Sequence, residues 1–163
     1  MSMQQAIASI HESIDGIVKT VRGLSEEEIK FKPSEEAWSV QEIVAHVEEV
    51  IPYWLNEIER LRETPGVEWG RGLQDEARLA AVAKAYERPV SEMLDRIEGM
   101  KELVSERLSR LTEEELKREA PSRNPRFGTK PASFIVDHLL VEHVAKHLGQ
   151  IQRNLKQFKE SRQ

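Results

Sequence analysis

Four long stretches of this chain place apolar residues three and four positions apart, and that spacing admits one secondary structure. Ile7, Ile10, Ile14, Ile17, Val21 and Leu24 mark the first, from Met3 to Leu24. An α-helix turns about 100° per residue, so these side chains share one face. The second starts at a predicted N-cap, Ser39, and runs to about Glu63, with Ile43, Val47, Val50, Trp54, Ile58 and Leu61 inward. Pro52 falls inside it, removes one backbone hydrogen bond and predicts a kink. The third is expected from Leu73 to about Arg110, bent at Pro89 and Gly99. The fourth runs from Ala132 to Phe158 on a stripe of Leu140, Val144, His147, Ile151, Leu155 and Phe158. No period-two pattern competes. The expectation is an all-α four-helix bundle with long crossover connections.

Local signals punctuate these helices. Ser25-Glu26-Glu27-Glu28 and Thr112-Glu113-Glu114-Glu115 both read as capping boxes that open a short helix. Each follows a leucine that ends a long helix, so the two halves of the chain share a layout. Thr64 to Gly72 holds Pro65, Gly66, Gly70 and Gly72 and reads as a loop. Ala120 to Pro131 is rich in proline and basic residues, and is expected to be a mobile loop.

At 163 residues, positions 1–163 suit a single domain with a real core. A net charge of -5 argues against nucleic acid as a partner, because such proteins present a basic surface. There are no cysteines, which excludes disulfides, thiolate metal sites and a cysteine nucleophile. Met1 to Ile17 carries Glu12 and Asp15 and lacks the basic-then-apolar order of a signal peptide. No apolar run approaches the ~18 residues of a membrane span. A cytoplasmic location is the expectation.

The five histidines are His11, His46, His138, His143 and His147. His143 and His147 are four apart and lie on one helical face. His147 falls within the apolar stripe, and His46 sits between Ile43 and Val50 on the inner side of its own helix. Imidazoles on buried faces are costly unless paired, and one shared metal ion would satisfy all three. The competing reading is a set of core histidines, each hydrogen-bonded to a neighbour. His138 precedes His143 by five residues, about 140° around an α-helix, and should point elsewhere. His11 is expected at the surface or the boundary. His143-Val144-Ala145-Lys146-His147 lacks the glutamate that serves as general base in zincin proteases.

The segment Trp38-Ser39-Val40-Gln41-Glu42-Ile43-Val44-Ala45-His46 resembles the first-histidine motif of the DinB/YfiT-like family of metal-binding helical bundles. Leu139 to Ile151, which contains His147-Leu148-Gly149-Gln150-Ile151, is similar to that family's second motif. The resemblance covers nearly the whole chain. It implies a four-helix bundle holding one divalent ion, nickel or zinc, on His46, His143 and His147, and it implies a homodimer. One departure is visible: Lys146 and Leu148 stand where the family often has a further histidine or an arginine beside the last ligand.

Three neutral ligands leave a coordination position open. The resemblance then implies a metal-dependent thiol S-transferase that joins a low-molecular-weight thiol to a small electrophile. A metal-dependent hydrolase or a non-catalytic metal-binding bundle are the alternatives. Around the triad, Tyr53 is a candidate hydrogen-bond donor, or else a core tyrosine. Gln150 and Glu142 are candidates to orient imidazoles. Arg123-Asn124-Pro125-Arg126 is a candidate to meet an anion, or else a solvated basic turn. Trp69 is expected at the pocket mouth or against a second subunit, Trp38 against the start of the second helix, and Trp54 on that helix's apolar side.

Overall fold

A computed structural model describes residues 2–162. Helix α1 spans Met3–Arg22, α2 Glu26–Lys30 and α3 Val40–Glu63. After a loop come α4 at Glu76–Ala83, a 3₁₀ turn at Ala85–Glu87, α5 at Val90–Ser109 and α6 at Glu113–Lys117. Strands β1, Glu119–Pro121, and β2, Thr129–Pro131, form a hairpin. The last arm is α7 at Ala132–Phe134, a π-helical stretch at Ile135–Glu142 and α8 at His143–Ser161.

The predicted caps are present as complete capping boxes. Ser25, Ser39 and Thr112 each accept from the backbone three residues on, and Glu28, Glu42 and Glu115 reach back to the cap. Ser2 and Gln5 cap α1 in the same way. Such caps satisfy amides that the first turn leaves unpaired, which starts each helix at a defined residue. The apolar stripes then bury together: Ile10, Ile14 and Ile17 on α1, Ile43 and Val47 on α3, Ile97 and Val104 on α5, and Val144 and Ile151 on α8. Full burial of each such side chain contributes roughly 1.5–3 kcal/mol.

Around the bundle the order is α1, α5, α3, α8. α1 packs on α5 and α8, and α3 packs on the same two, while α1 and α3 stand diagonally opposed. Of the four long helices, only α3 and α5 are both successive in the chain and adjacent; α1 and α3, and α5 and α8, stand diagonally, so those two connections cross the bundle. Where α1 meets α8 the approach is close. A Cβ on Gly16 would lie 2.7 Å from Leu148 Cδ2.

Three expectations are corrected. The third long helix is not continuous. It breaks into α4, the 3₁₀ turn and α5, because Pro89 has no amide to donate and holds Arg88 extended at φ -134° and ψ 149°. In contrast, α3 runs through Pro52 and α5 through Gly99.

The second correction is that Ala120 to Pro131 is a structured hairpin, with Ala120 opposite Lys130. Its anchor is Trp69, which corrects the third expectation. This indole is fully buried and donates Nε1–H to the Ala120 carbonyl at 2.9 Å. Its backbone also bridges Pro121 and Arg123. Gly70 beside it has φ +82°, with its ideal Cβ position 3.5 Å from the Trp54 ring, so this turn requires glycine. Gly70 N–H donates to the buried Glu57 carboxylate at 2.7 Å. Period-two reasoning missed strands this short.

No helix among the described residues is long and apolar enough to cross a membrane.

Candidate metal centre

The capping box at Ser39 sets the start of α3, and His46 follows two turns later on its buried face. It is 1% exposed. Gln41 pins the same end of α3 to the 3₁₀ turn by donating to the Ala85 and Arg88 carbonyls. Trp38 covers the site from outside, its ring 4.9 Å from the His46 ring. Asn154 on α8 donates to the Trp38 carbonyl at 2.8 Å, which ties the cover to the opposing helix.

On the other arm, the π-helical stretch ends where His143 begins α8. Such wide turns occur frequently at functional sites. His143 and His147 bring their Nε2 atoms to 2.8 Å. His147 Nδ1–H donates to Gln150 Oε1 at 2.9 Å, which leaves its Nε2 with the free lone pair. His46 meets this pair with ring centroids 4.7 Å from His147 and 5.7 Å from His143. One ligand-type nitrogen from each of the three lies within 4.8 Å of the others.

Burial sets the charge state. Desolvation pushes His46 down to about 2, helped by the nearby imidazoles of His147 and His143 and by Arg78 and Arg71. Desolvation holds His143 at about 4, opposed by the Leu139 carbonyl one turn back. His147 is lowered for the same first reason, against the bond to Gln150. All three rings are neutral at pH 7, the form that binds a metal.

The donor set fits a divalent cation. The cluster is imidazole only, with no carboxylate or thiolate among the described residues. Nδ1 of His46 is buried with no hydrogen-bond partner, and Nδ1 of His143 has none of ordinary geometry. A set of core histidines satisfied by their neighbours would not leave these atoms unpaired.

A cavity of about 100 Å³ opens onto His46 and His143. Val50, Trp54, Leu73, Phe127 and Leu139 form its apolar wall, and Arg71, Arg78, Asn124 and Arg126 its polar one. The volume corresponds to roughly three waters, enough for the reacting end of a small molecule. A larger groove of about 640 Å³ lies between the end of α1, α2 and the start of α5, and no histidine lines it.

The remaining candidates fall on both sides. Gln150 orients an imidazole as expected. Glu142 does not; it binds His138 Nδ1 at 2.8 Å. His138 stacks on Phe134 and stays outside the cluster, as expected. Tyr53 lies beneath the Arg71 guanidinium, 3.7 Å from its ring centre, and does not line the cavity. Burial raises its pKa, so it remains a neutral phenol. His11 is a boundary residue bonded to the Lys101 carbonyl at 2.8 Å. Arg123 turns toward Glu57 and the Gly70 carbonyl, while Asn124 and Arg126 reach the cavity. Arg71 and Arg78 escaped the sequence reading. They straddle a loop–helix junction, where helical periodicity carries no information.

Comparison with known proteins agrees with this architecture. The sequence profile of the DinB superfamily matches residues 9–151, so the chain belongs to the DinB superfamily. Among solved structures, YfiT from Bacillus subtilis superposes with a TM-score of 0.82 at 15% identity, over 98% of this chain and 90% of that one. It is described as a probable metal-dependent hydrolase with an unusual four-helix bundle topology. A mycothiol-dependent maleylpyruvate isomerase superposes with a TM-score of 0.72 at 15% identity, over 93% of this chain and 61% of that one. At such identity the likeness is one of fold. No curated protein matches the sequence.

Proposed function

We propose that His46, His143 and His147 hold one divalent ion, nickel or zinc, and that the site activates a low-molecular-weight thiol toward a small electrophile. The observation that carries this reading is the convergence of three neutral imidazoles, two of which, His46 and His143, line a cavity. An ion held there supplies Lewis-acid charge, which lowers the pKa of a thiol or water beside it.

The chain's own residues do the rest. Gln150 fixes the tautomer of His147. Trp38 and the apolar wall exclude bulk water. In the transfer itself, the thiol loses its proton to solvent, its sulfur bonds to the electrophilic carbon, and a leaving group such as halide departs with the electrons of the broken bond.

Thiol transfer is favoured over hydrolysis because no aspartate or glutamate lines the cavity. Hydrolysis of an ester or amide would call for a general base and acid at the reacting atoms. The second reading, a metal-dependent hydrolase, draws its support from the fold shared with YfiT. In either case the working unit is a single-domain subunit in a homodimer.

Elemental analysis tests the ion. The purified chain is expected to carry about one metal, and His147→Ala is expected to lose it. Full occupancy in that variant would overturn the ligand assignment. A metal-dependent assay with several thiols and a chlorinated aromatic acceptor tests the chemistry. No rate above background with any thiol, alongside turnover of an ester or amide panel, would favour the hydrolase.

A further inference from the structure

Arg78 is half-buried beside the triad, and its guanidinium donates only to the Leu73 carbonyl, at 3.1 Å. Among the described residues it makes no ion pair, and neither does Arg126. The carboxylates whose charge reaches Arg78 are Glu49 and Asp75, and both hold Arg71. Arg78 lines the same cavity as His46 and His143.

A desolvated guanidinium left without an anion is costly to the fold. It becomes costlier still if a divalent cation with only neutral ligands sits nearby. Here two unpaired guanidiniums and the Asn124 amide border one cavity whose other wall is apolar. The flat fork of an arginine matches a carboxylate through two parallel hydrogen bonds.

We infer that Arg78, assisted by Arg126, forms a carboxylate-recognition subsite, so that the molecule reacting at the triad is a small acid with an apolar body. The acid group belongs either to the thiol or to its acceptor. The inference rests on the metal reading for its link to chemistry, and the two fail separately.

The test uses the full chain loaded with cobalt(II), whose absorption reports thiol binding. Three probes are titrated: 3-mercaptopropionate, 2-mercaptoethanol, and propionate in the presence of 2-mercaptoethanol. 3-Mercaptopropionate is expected to bind roughly tenfold or more tightly than 2-mercaptoethanol, the scale of a charge-assisted pair. If the acceptor carries the acid instead, propionate binds beside 2-mercaptoethanol.

Arg78→Gln should erase the acid preference without changing the affinity for 2-mercaptoethanol or the cobalt content. Arg78→Lys, which keeps the charge but loses the fork, should recover part of the preference and guards against a folding defect. Arg126→Gln should have the same effect at a few-fold scale.

An acid preference that survives Arg78→Gln, or a loss that falls equally on both thiols, overturns the subsite and leaves the metal reading standing. Inorganic phosphate binding as tightly as propionate overturns the choice of an apolar acid. If the wild-type chain takes up no cobalt, the metal reading fails. Propionate titration of the metal-free chain by NMR then decides the subsite: Arg78-dependent binding retains it, and no binding overturns it.

Discussion

The two halves of the chain repeat one plan with unequal results. Residues 3–63 run through a 20-residue helix, a capped five-residue helix and a long helix carrying one histidine of the triad. Residues 90–161 follow a 20-residue helix and a capped five-residue helix with a final helix carrying two. In the first half a bent loop, residues 31–39, with a turn at Ser34–Ala37, joins α2 to α3. In the second, the β hairpin and the π-helical stretch intervene. The His46 arm is held by a cap at its start, and Nδ1 of that ring has no partner. The other arm is anchored from outside by Trp69 and carries its own orienting group, Gln150. A shared local plan thus supplies helices of similar length. The histidines written into the final helix of each half, one in α3 and two in α8, decide how many ligands each arm delivers.

The comparison breaks most sharply at the anchor. Trp69→Ala removes a fully buried indole and the bond to Ala120, and should cost about 3–5 kcal/mol in urea unfolding. The loss should fall on the hairpin arm first, seen as faster amide exchange at Ala120 and Lys130 than in α3. Equal exchange in both halves would show that the hairpin needs no anchor.

Acid separates the arms next. The folded pKa of His143, about 4, lies below the ~6.5 of an unfolded histidine. Between those values the unfolded chain takes up a proton that the folded chain refuses. Stability of the metal-free protein is therefore full above pH 6.5 and declines as pH falls toward 4. For His143 the loss is on the order of 3 kcal/mol. His46, at about 2, extends the decline to lower pH. A flat stability profile from pH 7 to 4 would contradict this. With metal bound, release should come at a pH below 6.5, since protons compete weakly for these rings.

Gln150→Ala sharpens the contrast within the site. It should weaken metal affinity by about 10–100-fold, as the loss of an orienting hydrogen bond does. Stability should change little, because Gln150 is only partly buried. Competition with a chelator measures the change, and an unaltered affinity would mean that packing alone orients His147.

The smallest effects concern the caps. Thr112→Ala should cost about 0.5–1 kcal/mol, and Ser39→Ala somewhat more, because Ser39 also binds the Tyr86 hydroxyl at 2.6 Å. Thermal unfolding compares the two, and an equal loss would show that the Tyr86 bond adds nothing.

Much of this fold is legible in the sequence. Capping boxes act within four residues, so Ser25, Ser39 and Thr112 were found at the right positions. The His143 and His147 pair was legible because α-helical geometry stacks residues four apart. The hairpin was not, because strands of three residues draw their stability from Trp69, some fifty positions away. The π-helical stretch was not, because its apolar residues suit an α-helix equally well. Among the residues around the triad, Arg71 and Arg78 were invisible for a related reason: their role arises from which helices they fold against.

By itself the sequence determined α1 and α3, the capped starts at Ser25, Ser39 and Thr112, and the apolar faces that carry His46 and His147, all consequences of short-range hydrogen bonding and periodicity. Only the tertiary structure decided that α3 neighbours α8 while α1 lies across the bundle, and so that His46 meets His143 and His147 with Arg78 alongside. Interleaved stripes of similar Ile, Leu and Val side chains can pack in more than one ring order. The choice among those orders depends on long-range connections such as the Trp69–hairpin anchor and the Asn154–Trp38 tie, which no local pattern encodes.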